Sequence, residues 1–281
     1  MIYNKITEFC KVRNNGNCFK NGIEPTPRVK FLIELIESEG IEYELDIFEE
    51  KREPRKSFIT KYKPYRGARW LQDEEDIEEE PKNLFYNIIM KGSSNKMIIA
   101  HHDVNNHTID NANDNSASCI NVIAAKKLKP DVNAVLVDGE EFGGIGSNHL
   151  AKQIISNKFG DIEWVLNLEL SGKGGEYFFI GEYPGPLYDK IKQMFDCPTT
   201  RTPFNDSVTL RKYGIDSTVI NPAPPINGKK SDLKFPASGD DGVYLDFSIV
   251  FNCHRPSDNL SSISSTDMKD FVEKVVIKIL R

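Results

Sequence analysis

The sequence predicts a three-layer α/β/α sandwich around a central mixed, mostly parallel sheet. Two observations predict it. Short apolar runs alternate with segments of helical periodicity from Thr26 to the C-terminus, which implies a sheet covered by helices on both faces. Chemistry-bearing polar residues then fall just past four of the apolar runs, where open α/β sheets bind their ligands.

The elements follow in order. Thr26–Glu39 opens with Thr-Pro and carries Val29, Leu32, Ile33, Leu35 and Ile36 at helical spacing, so it predicts an amphipathic helix. Tyr43–Phe48 is a short strand. The stretch 49–82 holds three prolines and the acidic block Asp73–Glu80. It predicts an irregular insertion with a solvated acidic loop, the alternative being a lid or a site for basic substrates. Leu84–Met90 and Lys96–Ala100 predict two strands joined by a Gly-Ser-Ser-Asn turn. Helices are expected over Ser116–Leu128, Gly146–Ile155, Pro186–Phe195 and Val208–Tyr213. Strands are expected over Asn133–Val137, Ile162–Leu170, Tyr177–Ile180, Ser217–Ile220 and Phe247–Phe251. A closing helix, Thr266–Leu280, has Met268, Phe271, Val275, Val276 and Ile279 inward and Ser265 or Thr266 as its cap. No internal repeat is visible, and one catalytic domain over 1–281 is the expectation.

Composition narrows the function. The 281 residues are 39% hydrophobic and 28% charged, as in an ordinary globular protein. A net charge of −6 and a pI near 5.5 argue against nucleic-acid binding. No apolar run approaches the roughly 18 residues of a membrane span. The first residues lack a basic segment followed by an apolar core, so no signal peptide is expected. Five cysteines at irregular spacing, with no C-x-x-C, fit a reducing compartment and a cytoplasmic location. Cys253, beside His254, is expected to be a small buried strand residue.

The chemistry centres on Glu140-Glu141, just past the apolar run ending at Val137. Adjacent carboxylates repel, and each seeks water or a cation. His101, Asp114, Glu169 and His254 complete the inventory of a two-metal site: two imidazoles, a carboxylate able to bridge, two terminal carboxylates and a spare carboxylate as base. Nitrogen and oxygen donors without thiolate suit two zinc ions, with cobalt or manganese as alternatives. Asp103 lies two residues after His101, where a strand returns it to the same face, placed to fix the imidazole.

Five segments then show a resemblance: Ala100-His-His-Asp103, Asn113-Asp-Asn-Ser-Ala-Ser118, Asp138-Gly-Glu-Glu-Phe-Gly-Gly-Ile-Gly-Ser147, Val165-Leu-Asn-Leu-Glu169 and His254-Arg-Pro-Ser-Asp258. In this order they resemble the co-catalytic zinc aminopeptidases, whose wider clan includes glutamate carboxypeptidases and glutaminyl cyclases and shares a phosphorylase/hydrolase-like fold. The resemblance spans roughly Leu84 to the C-terminus. It implies that His101, Asp114 and Glu169 hold one metal, and that Asp114, Glu141 and His254 hold the other. It also implies that Asp103 orients His101 and that Asp258 supports the loop of His254. Two such metals, about 3.5–4 Å apart, acidify a water. Glu140, as general base, takes its proton and passes it to the leaving amine of a peptide substrate. His102, His107 and His149 match no ligand position and are expected to be structural.

Three departures bear on this expectation. Glu169 stands where the aminopeptidases generally carry Asp. Related carboxypeptidases use Glu there but insert a further domain, for which 170–247 is too short. The glycine pattern around the bridging aspartate is replaced by Asn-Asp-Asn-Ser-Ala-Ser. No oxyanion stabiliser is assigned, Tyr244 being only a candidate. The competing functions are a glutaminyl-cyclase-like acyltransferase, with one zinc on Asp114, Glu141 and His254, and a non-catalytic peptide-binding scaffold.

Overall fold

The computed structural model describes residues 2–12, 25–50, 84–104, 110–202, 204–226, 244–246 and 253–281. The expected insertion after residue 50, its acidic block, His107 and the Phe247–Phe251 strand lie outside the described residues.

Helix α1 (Ile6–Lys11) precedes α2 (Pro27–Ser38), where Thr26 accepts a hydrogen bond from the Val29 amide and Pro27 occupies the first turn. Strands β1 (Glu44–Glu49), β2 (Leu84–Met90) and β3 (Lys96–His101) follow, then α3 (Ala117–Leu128), β4 (Asn133–Val137), α4 (Ile145–Ile155) and β5 (Trp164–Leu168). The chain continues through β6 (Phe178–Gly181), α5 (Pro186–Met194), β7 (Thr199–Thr200), α6 (Asp206–Lys212) and β8 (Ser217–Pro222). A small ribbon pairs β9 (Pro225–Ile226) with β10 (Tyr244–Leu245). Helix α7 (Ser265–Phe271) runs through a widened turn at Val272–Val276 into α8 (Ile277–Leu280). Its cap is Ser264, one residue before the expected positions, accepting from the Asp267 amide at 3.2 Å.

Among the described residues, eight strands form one sheet in the order β1-β2-β4-β3-β5-β8-β6-β7. The centre, β4-β3-β5-β8, is parallel. Antiparallel pairs flank it through β1 and β2 on one side and β6 on the other. The sheet is therefore mixed.

Side-chain alternation explains the layers. In β3 and β4, Ile98, Ala100, Ala134 and Leu136 join the core beneath α1, α2, α3, α5 and α7. Their neighbours Met97, Ile99, Val135 and Val137 join the opposite core beneath α4. Buried on both faces, these strands read as continuous apolar runs. Each fully buried Ile or Leu contributes roughly 1.5–3 kcal/mol of apolar transfer. The sheet thus presents the ends of β3, β4 and β5 together at one rigid edge, and the polar residues that follow these strands share it.

Candidate metal centre

His101 is the last residue of β3 and only 1% exposed. Its Nε2 lies 3.3 Å from Asp114 Oδ1 and 3.5 Å from Glu169 Oε2, while its Nδ1 faces Asp103 Oδ1 at 3.3 Å. Asp114 sits in the kinked turn before α3. Its other oxygen, Oδ2, lies 3.3 Å from His254 Nε2, and that nitrogen lies 3.1 Å from Glu141 Oε2. One carboxylate thus stands between two imidazoles, as a bridging ligand would.

The acidic turn after β4 has a readable construction. Gly139 takes a left-handed φ of 71°, which bends the chain out of the strand. At Gly146, a Cβ would fall 2.4 Å from the Asp138 carbonyl oxygen, so only glycine lets α4 pack back on the turn. The Glu140 and Glu141 amides donate to the two oxygens of Asp103, at 3.1 and 3.0 Å. Asp103 therefore faces His101 and also fixes the backbone of both glutamates.

Glu169, past the end of β5, has its own frame. Asn115 donates to Oε2 at 3.0 Å, and Asn167 donates to Oε1 at 3.2 Å. Asn221 donates to its backbone carbonyl at 3.2 Å. Asn115 and Asn167 thus direct the longer side chain that stands in place of Asp, and Asn221 holds its backbone.

The electrostatics suit cations. Burial opposes charge on Asp114, but His101 and His254 hold its carboxyl well below the usual range. Burial would lower His101, but Glu169, Asp103 and Asp114 together raise it well above an ordinary histidine. Contact with Asp114 raises His254 to about 9, against partial burial. The clustered carboxylates thus push both imidazoles toward their cationic form, the same environment that favours a bound metal cation. Glu140 differs. Burial, with Asp206 and Glu169 nearby, pushes it up to about 9 despite His101. Its carboxyl lines the cavity beside the cluster. The donor set suits divalent cations: His101, Asp114 and Glu169 group closely enough to surround one ion, as do Asp114, Cys253 and His254, with Glu141 Oε2 3.1 Å from His254 Nε2.

His101, Asp114, Glu140, Glu141, Glu169 and His254 all line a cavity of about 670 Å³, and Phe179, Phe204, Val208 and Val219 line it as well. This is room for a side chain or a short peptide segment.

Some residues behave differently from expectation. Cys253 is not a buried strand residue. It lies in a turn, partly exposed, and its thiol donates to Asp114 Oδ2 at 2.8 Å. Asp258 braces the loop of Asp114, accepting the Asn113 and Asp114 amides at 2.7 and 3.1 Å. Sequence reasoning missed Asp206, the first residue of α6. It is fully buried, and burial, with Glu169, raises it to about 7 against His101 and a hydrogen bond with Ser147. His102 is structural, with Nε2 2.7 Å from the Tyr86 carbonyl oxygen. So is His149, stacked on Phe48 and 3.2 Å from Asp46.

The model of Peptidase family M28 matches residues 87–277, which contain the whole cluster. The chain belongs to this family. A search among curated proteins finds no significant sequence match. Solved structures share the fold. Glutaminyl cyclase from Porphyromonas gingivalis superposes with a TM-score of 0.64 at 14% identity, over 99% of this chain and 96% of that one. LapA aminopeptidase from Legionella pneumophila gives 0.59 at 12% identity, over 99% and 68%. BSAP, a zinc aminopeptidase from Bacillus subtilis, gives 0.52 at 16% identity, over 71% of this chain and 50% of that one. The chain therefore spans about half the length of the Bacillus enzyme.

Proposed function

We propose that the chain is a zinc-dependent exopeptidase that removes N-terminal residues from peptides, with Glu140 as general base. The observation that carries this is Asp114 placed between His101 and His254, with Glu140 beside the cluster and outside both candidate ligand sets. Divalent cations bound there would polarise the peptide carbonyl and acidify water. The chain's own residues do the rest. Glu140 accepts a proton from the attacking water and delivers it to the leaving amine. Its carboxyl, raised in the metal-free protein, comes down into the working range once cations sit beside it. Asp103 keeps His101 and the Glu140 backbone in register, so the base stays aligned with the ligands. Phe179, Val208 and Val219 give the cavity an apolar wall that takes the substrate side chain and excludes water.

A glutaminyl-cyclase-like activity with one zinc is the second reading. The near-equal length and full coverage of the Porphyromonas cyclase favour it. The buried His101–Asp114–Glu169 group favours the two-metal peptidase. Peptide substrates and a cytoplasmic location complete the proposal. Free Cys10, Cys119, Cys197 and Cys253 support the location, and no helix among the described residues is long and apolar enough to cross a membrane.

Digestion of an unbiased peptide library with added zinc, read by mass spectrometry, tests this. N-terminal trimming is expected. Cyclised N-terminal glutamine, or C-terminal trimming, would replace the reading.

A further inference from the structure

We propose that Cys253 supplies a thiolate ligand to the second metal site, beside Asp114 and His254. The proposal rests on the reading of the cluster as a metal centre and adds to it a donor of a different kind.

Three observations carry it. The Cys253 sulfur lies 2.8 Å from Asp114 Oδ2, the same oxygen that faces His254 Nε2 at 3.3 Å. One donor atom each from Asp114, Cys253 and His254 lie within 4.8 Å of one another, close enough to surround a single ion. The backbone accounts for two successive residues sharing a side. In an extended chain neighbouring side chains point to opposite faces, but His254 has a left-handed φ of 59°, which breaks that alternation. Cys253 also lines the cavity, whereas Cys10, Cys119 and Cys197 are buried.

Zinc accepts sulfur, nitrogen and oxygen together, so thiolate, imidazole and carboxylate form a competent set. On binding, the S–H bond breaks, a sulfur–metal bond forms, and the proton leaves to buffer. Glu141 Oε2 stands 3.1 Å from His254 Nε2, at the edge of this group.

The test is spectroscopic. Zinc-loaded protein is assayed for metal content and examined by zinc-edge X-ray absorption. A sulfur neighbour at about 2.3 Å is expected, beyond the roughly 2.0–2.2 Å of nitrogen and oxygen ligands. Cobalt-substituted protein should show a sulfur-to-metal charge-transfer band in the near ultraviolet. Cys253→Ala and Cys253→Ser should both lose the sulfur neighbour and the band, with circular dichroism unchanged. Two bound metals with only nitrogen and oxygen neighbours would overturn the proposal and leave the peptidase reading intact. A sulfur neighbour that survives in both variants would assign it to another cysteine and also overturn the proposal. Wild-type protein that binds no metal would overturn the proposal and the metal reading together.

Discussion

The two halves of the centre are built differently. The His101 half grows out of the sheet. His101 ends β3, Glu169 follows β5, and buried Asn115 and Asn167 hold the Glu169 oxygens. The His254 half arrives on a turn from far along the chain, and the His254 side chain is 50% exposed against 1% for His101. Asp114 belongs to both. The contrast teaches that one group of candidate ligands is held by the core, while the other rests on a half-exposed turn.

The largest expected effect separates the base from both halves. Glu140→Gln should lower hydrolysis of amino-acid anilides by about 10²–10⁴-fold, with metal content unchanged by elemental analysis. Wild-type rates would show that the proton is moved by another group. Loss of metal would show that Glu140 is a ligand and erase its distinction from Glu141.

Next comes a direct measure of the asymmetry. In chelator, His101→Ala removes a buried partner of both Asp103 and Asp114 and should cost about 3–5 kcal/mol in urea unfolding. His254→Ala removes a half-exposed partner and should cost about 0–1 kcal/mol. Equal costs would end the comparison. Smaller again is Asp103→Asn, which should weaken metal binding by about 10–100-fold. Competitive chelation of the two sites should show the loss chiefly on the His101 side.

The smallest effect is a pH slope. In the metal-free protein, Glu140 is pushed up to about 9 and Asp206 to about 7, in both cases first by burial. Contact with Asp114 raises His254 to about 9. For all three, the folded chain keeps protons that the unfolded chain releases. Their stabilisation is complete below the unfolded values and lost as pH rises through the folded ones. The melting temperature in chelator should fall steadily between pH 5 and 9. Added zinc should flatten the slope, and a metal-free protein equally stable across that range would contradict the cluster's electrostatics.

Much of this was legible from residue patterns alone. The continuous apolar runs of β3, β4 and β5 announce strands buried on both faces, and each ends where a candidate ligand stands. Other features leave no such trace. Asp206 follows Asn205 at a helix start, where the pair reads as capping, and Asn205 does cap α6. The burial that sets Asp206 apart is a tertiary fact. Cys253 reads as one more small apolar residue, because nothing local shows which side of the chain it faces. The substitution of Glu169 for Asp is visible, but two of the amides that steady it, from Asn115 and Asn221, come from segments over fifty residues away. The Ser264 cap was misplaced because three consecutive serines and threonines compete for the role, and only backbone geometry selects among them.

Asp258 has a consequence of its own. Its carboxylate grips two successive backbone amides, those of Asn113 and Asp114, from a segment just ahead of the C-terminal helices. Pulling that end of the polypeptide away would strip a buried anion of both donors and loosen the bridging group. The terminal helices are thus part of the foundation of the centre, and damage to them should silence the enzyme while the sheet still stands.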